Sequence, residues 1–311
     1  MQASVWERRA VVAAVAAAVA VPRVAAAQAV KWSAGTEKAT LAAPPGATDC
    51  HHHIYDSRFP IDPAATLRPG DATVADYRAL QRRIGTTRNI VVQPSTYGVD
   101  NRCLLDVLAQ FGVAARGVAV VNTSVADDEL QRLHAAGVRG IRFNLVQTGA
   151  TTPDMVAPLA ARVNRLGWHV QVHALPSLIV AHAALWRDLP CPVVFDHMGH
   201  PHEPDGAGDP VVSLLSDLAR HGKAWVKLSG VYMDSKVGPP GYADCTPVAR
   251  AYIAAAPDRM VWGSDWPHPT EKTAKPDDAV LFDLLGTWAP DVATRTRILV
   301  ENPARLYGFA A

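Results

Sequence analysis

From residue 47 to the C-terminus, short apolar and β-branched runs alternate eight times with segments of helical spacing. The runs fall at 47–54, 88–93, 115–122, 138–145, 168–174, 192–198, 224–229 and 260–265. Between them, apolar residues recur at intervals of three and four, as from Val74 to Ile84, Leu178 to Leu189 and Val211 to His221. Strands that alternate with helices form parallel sheets through right-handed crossovers. Eight such units match a closed (β/α)8 barrel, with an open doubly wound sheet as the alternative. Gly112, Gly137, Gly167 and Gly222 stand where helix C-caps turn into the next strand. The pattern predicts an α/β protein, a single-domain (β/α)8 TIM barrel over residues 47–311.

The first 29 residues read differently. Arg8-Arg9 precede an apolar run from Ala10 to Val21, Pro22 ends it, and Ala27-Gln28-Ala29 offers a small-x-small cleavage site. The run is shorter than the roughly 20 residues that span a bilayer. It predicts a cleaved signal peptide over 1–29, of twin-arginine type, and no stable membrane anchor. A buried alanine-rich helix accounts less well for that order of features. Export to the bacterial periplasm is the expected location. Residues 30–46, with Gly35, Pro44, Pro45 and Gly46, read as a linker.

Composition removes several function classes. The 311 residues carry 30 Lys+Arg against 29 Asp+Glu, a net charge of +1, so nothing draws the chain to nucleic acid or an anionic surface. Cys50, Cys103, Cys191 and Cys245 have no CxxC spacing, which disfavours a zinc–thiolate site and leaves any disulfide pairing open. The expected partner is a small-molecule substrate.

Reactive groups of a parallel barrel stand at the C-terminal ends of its strands. The first run ends His51-His52-His53, the fifth Gln171-Val172-His173, the sixth Asp196-His197-Met198-Gly199 and the eighth Gly263-Ser264-Asp265-Trp266-Pro267. Side chains alternate along a strand, so His51 and His53 share one face and His52 points away. Alone, each has an ordinary explanation: a satisfied core histidine, a solvated turn, a capping aspartate. Together they place His51, His53, His173, His197 and Asp265 at one mouth. Burying such groups without a role costs a few kcal/mol for each one left unpaired. His200, His202 and His268 follow in loops on the same face and are candidates for substrate contact.

Asp49-Cys50-His51-His52-His53, Val194-Phe195-Asp196-His197-Met198-Gly199, Lys227-Leu228-Ser229-Gly230 and Trp262-Gly263-Ser264-Asp265-Trp266-Pro267-His268 together resemble the amidohydrolase superfamily. The similarity is to its branch of pyrone-dicarboxylate lactonases and galactarolactone isomerases. It extends over about residues 46 to 309. The resemblance implies that His51 and His53 are the first-strand H-x-H, that His197 is the sixth-strand histidine, and that Asp265 is the general base on water. It places Arg142 as a substrate-carboxylate arginine and Ser95 near a substrate contact. Tyr55, Tyr97 and Tyr232 are candidate pocket walls.

Two departures from the lactonase branch stand out. That branch works without metal and has no histidine at the fifth-strand position, where this chain has His173. The set His51, His53, His173 and Asp265 thereby resembles a mononuclear site for one divalent metal, Zn²⁺ above all, with metal-independent chemistry as the other expectation. The pyrone lactonase also carries an arginine after its Ser-Gly-x-Tyr, where Met233 stands here, so its clamp on a dicarboxylate is incomplete. The expected function is hydrolysis of a lactone or related cyclic ester, a sugar lactone or pyrone carboxylate. Lactone isomerisation, metal-dependent decarboxylation and a non-enzymatic exported solute-binding barrel are the alternatives.

Overall fold

The structure, a computed structural model, describes residues 29–146, 149–202 and 206–310. The leader expected over 1–29 lies, but for Ala29, outside the described residues. Strands β1 (Thr48–His52), β2 (Arg88–Val92), β3 (Ala115–Ala119), β4 (Val138–Asn144), β5 (His169–His173), β6 (Val193–Phe195), β7 (Ala224–Leu228) and β8 (Met260–Trp262) pair in sequence order. Every neighbouring pair is parallel. The seam between β8 and β1 is drawn together just beyond β8. Asp265 N–H donates to His51 O at 2.8 Å, and His53 N–H donates to Trp266 O at 2.8 Å. Eight parallel strands thus form a nearly closed barrel.

Asp49 fastens the same seam from within. Its Oδ1 accepts from the backbone of His51 (3.1 Å) and Ser264 (2.9 Å), and its Oδ2 from the hydroxyls of Ser264 (2.6 Å) and Tyr77 (2.9 Å). Complete burial pushes its carboxyl up to about 6, against the downward pull of those four hydrogen bonds.

Helices cover the outside. The first, Val74–Ile84, starts at a Thr73–Asp76 capping box, ends at Gly85 in the left-handed region (φ 82°), and turns Tyr77, Leu80 and Ile84 inward. Such a cap is worth about 1 kcal/mol. The segment 30–46 has neither helix nor strand, and it is tied along the barrel wall. Trp266 Nε1 donates to Lys31 O, Arg83 to Ala34 O, and the Thr40 and Leu41 amides to Asp283. All four cysteines are free and buried. Among the described residues no helix is long and apolar enough to cross a membrane.

Candidate active site

The strand ends meet as the alternation of side chains demands. His51 and His53 face the barrel axis. His52 faces outward, stacked on Tyr77 with ring centroids 3.6 Å apart and bonded to Asn89 Oδ1 at 3.0 Å. Past β6 and β8 the backbone enters the left-handed region at His197 (φ 51°), Met198 (55°), His200 (54°), Asp265 (63°) and His268 (54°). Non-glycine residues pay roughly 1–3 kcal/mol for such conformations, and they gather where function requires an aimed side chain. Two glycines make room. A Cβ on Gly263 would stand 2.6 Å from His51 Cβ, and one on Gly230 would stand 2.6 Å from His197 Nδ1.

Asp265 lies at the focus. Its Oδ2 accepts the Tyr232 hydroxyl at 2.5 Å. Its Oδ1 faces three imidazoles: His51 Nε2 at 3.4 Å, His53 Nε2 at 3.7 Å and His197 Nε2 at 3.9 Å. The outer nitrogens of two rings are anchored, His53 Nδ1 donating to Val92 O (2.8 Å) and His197 Nδ1 meeting Ser229 Oγ (3.0 Å). Burial before all else lowers His51, His53, His173 and His197, so the rings are neutral near neutrality. One carboxylate oxygen is therefore held, and the other is left among neutral imidazoles. That is how a base on water is arranged.

Beneath this layer lies a buried polar network. Asp196 Oδ2 accepts from Arg142 Nε (3.2 Å) and Gln171 Nε2 (3.1 Å). Lys227 Nζ donates to Gln171 Oε1 at 2.8 Å and lies 3.4 Å from Asp196 Oδ1. Burial pushes the Asp196 carboxyl up, but His51, Lys227 and Arg142 together hold it well below the usual carboxylate range. Burial also lowers Lys227, with Asp196 opposing. The sequence reading gives Lys227 and Gln171 no role. The available signal is a lysine inside the apolar strand Trp225-Val226-Lys227-Leu228, since a lysine is almost never fully buried unless paired.

Of the expected metal set, His51 Nε2, His53 Nε2 and Asp265 Oδ1 lie within 3.7 Å of one another, whereas His173 groups with His197 and His200, their donor atoms within 4.8 Å. A cation needs ring nitrogens with free lone pairs. Arg142 Nη2, which can only donate, stands 3.3 Å from His173 Nδ1, and Lys227 Nζ stands 3.2 Å from His51 Nδ1. A neutral ring that accepts at Nδ1 carries its hydrogen on Nε2. With a donor at each Nδ1, His51 and His173 are placed to carry their hydrogen on Nε2, a form that offers a cation no lone pair.

The other expected site residues are placed as follows. Arg142, Ser95, Tyr55, His53, His173, His197 and Asp265 line one cleft of about 40 Å³. Beside it opens a larger cavity of about 310 Å³, which shares His173, Met233 and Thr270 and adds His200 and His202. Tyr232 is not part of the cleft wall, because its hydroxyl is spent on Asp265. Tyr97 turns its hydroxyl to the Asp56 backbone. His268 is buried against Asp278 at 3.1 Å and lines neither cavity.

The amidohydrolase family model matches residues 48–309. The chain is 39% identical over 292 residues to a 2-pyrone-4,6-dicarboxylate hydrolase of Comamonas testosteroni, covering 89% of this chain and 94% of that protein. It is 34% identical over 276 residues to a 4-sulfomuconolactone hydrolase of Rhizobium radiobacter (86% and 92% covered). It is 33% identical over 268 residues to a D-galactarolactone isomerase of Agrobacterium fabrum (85% and 91% covered). An apo crystal structure from Agrobacterium tumefaciens superposes with TM-score 0.82 at 32% identity, over 90% of this chain and 99% of that one. A barrel with its polar groups gathered at one mouth, and relatives this similar along most of their length, lead to one conclusion: this chain belongs to the amidohydrolase family and is an enzyme of the amidohydrolase superfamily.

Proposed function

We propose that the protein hydrolyses a carboxylate-bearing lactone, with Asp265 as general base. The observation that carries this is the Asp265 carboxylate, one oxygen held by Tyr232 and the other facing three imidazole Nε2 atoms. Water resting on Oδ1 loses a proton to it while its oxygen bonds to the lactone carbonyl carbon. Negative charge that develops on the carbonyl oxygen is met by N–H groups of the surrounding histidines. The ring C–O bond then breaks, and the departing oxygen recovers the proton from Asp265. The product is an open-chain acid, whose ionisation releases one proton to solvent. Neutral rings and a firmly ionised Asp196 suit a metal-independent version of these steps.

Arg142 is the one lysine or arginine among the described residues lining the small cleft, and it is the proposed partner of the substrate carboxylate. Met233 lines both cavities, so a second carboxylate finds no arginine there. A panel of sugar lactones and pyrone carboxylates, followed by acid release with and without a chelator, tests the proposal. Acid release from at least one lactone, unchanged by chelation, is expected. Consumption of lactones without acid would favour isomerisation, the activity named for the Agrobacterium fabrum relative. We also propose export, on the leader features of residues 8–29. Mature protein beginning at Val30 in the periplasmic fraction would support this, and protein confined to the cytoplasm with Met1 retained would refute it.

A further inference from the structure

The protonation pattern of His51 follows from a residue that touches no substrate. Lys227 is completely buried in β7, and its ammonium donates to Gln171 Oε1 at 2.8 Å and His51 Nδ1 at 3.2 Å, with Asp196 Oδ1 as its counter-ion 3.4 Å away. The Gln171 amide cannot be reversed without loss, because its Nε2 already donates to Asp196 Oδ2. Its oxygen therefore faces Lys227 and takes a hydrogen from it.

Two groups compete for His51 Nδ1, and both lie 3.2 Å away: Lys227 Nζ, a donor, and Asp196 Oδ1, an acceptor. Geometry favours Lys227: the Nζ–Nδ1 contact is a hydrogen bond, and Asp196 Oδ1 is left beside the ammonium as its counter-ion. A hydrogen on Nδ1 would also point its positive end at an ammonium. The neighbour on the other side of the ring agrees. His53 donates from Nδ1 to Val92 O, so its Nε2 carries a lone pair, and His51 Nε2 stands 3.3 Å from it. Two lone pairs face to face would repel, whereas an N–H on His51 makes that contact a hydrogen bond.

We infer that Lys227 is a positioning residue that holds His51 with its hydrogen on Nε2. In that form His51 offers a hydrogen from Nε2, between His53 Nε2 and Asp265 Oδ1, and no lone pair for a cation. Hydrogens then run in one direction, from Lys227 to His51 Nδ1, from His51 Nε2 to His53 Nε2, and from His53 Nδ1 to Val92 O. The proposed hydrolysis uses this donor, but the tautomer itself is readable without substrate, so the two can fail separately.

The test is two-bond hydrogen–nitrogen correlation NMR on full-length protein with labelled histidine. His51 is assigned by the signals lost in His51→Gln. In the parent, Nε2 is expected at the protonated position and Nδ1 at the unprotonated one. In Lys227→Met, the ring is free to donate from Nδ1 to Asp196, and the two positions exchange. That variant is also expected to take up zinc, added alone, under dialysis in which the parent takes up none. Its kcat is expected to fall about 100-fold, the loss typical of one oxyanion donor. A hydrogen on Nδ1 in the parent would overturn the inference even if the variant did not fold. So would an unchanged pattern in a folded Lys227→Met protein, or a shift of the parent's His51 Nε2 signal on adding zinc.

Discussion

Replacing Asp265 with asparagine separates the base from the scaffold that holds it. The two side chains have the same shape. The substituted amide can place its oxygen where Oδ1 stands, 3.4 Å from His51 Nε2, and let its nitrogen donate to the Tyr232 hydroxyl oxygen, now 2.5 Å from Oδ2. The packing is therefore kept, and the melting temperature is expected to move by about 4 °C or less, the shift that corresponds to roughly 1 kcal/mol. What the amide cannot do is take a proton. General-base assistance is worth about 100- to 10,000-fold, or roughly 3–5 kcal/mol at 1.36 kcal/mol per decade. The loss is expected in kcat, with KM nearly unchanged, because the proposed mechanism assigns Asp265 to water and Arg142 to the substrate carboxylate. Initial rates by acid release, beside a thermal melt of the same sample, make the measurement. Hydrolysis at the parental rate would refute the assignment. A collapsed melt would show instead that the carboxylate is there for the fold.

Two further changes probe separate parts of the site. Arg142→Gln removes a charged contact worth roughly 1.5–3 kcal/mol and should raise KM for a carboxylate-bearing lactone about 10- to 100-fold. A neutral lactone should show little change, and an equal rise for both would show that Arg142 does not read the carboxylate. Asp49 tests the seam through pH. Its folded value, about 6, lies above the ordinary 3.8. Its contribution is therefore fully present below the ordinary value and lost as pH rises through the folded one. Relative to Asp49→Asn, the parent should gain about 2 kcal/mol of unfolding free energy between about pH 7 and about pH 4.5 by urea titration. A constant difference across that range would contradict the raised value.

The barrel was legible because strands covered on both faces must be apolar runs, and all eight runs became ladder strands. Their ends were overread wherever the chemistry begins. The run 192–198 gave a ladder of Val193–Phe195, because His197 and Met198 turn left-handed, and 260–265 gave Met260–Trp262 for the same reason at Asp265. The helix expected from Leu178 to Leu189 is broken into Pro176–Ala181 and Ala183–Asp188. At the break, the His182 ring sits 3.0 Å from Leu178 O and competes for a helical carbonyl. Side chains aimed by strand alternation, such as His51 and His53, could be read from spacing. Roles set by distant partners could not. Lys227 acquires its meaning from Gln171, Asp196 and His51 on three other strands or strand ends, and Tyr232 from Asp265 across the mouth.

The chemistry of the mouth is tested most directly by letting the enzyme open its lactone in heavy-oxygen water and weighing the product. Attack by water on the carbonyl carbon puts one labelled oxygen into the new carboxylate and none into the freed hydroxyl. A product that carries no label, or a second lactone formed without any, would contradict a reaction in which Asp265 activates water.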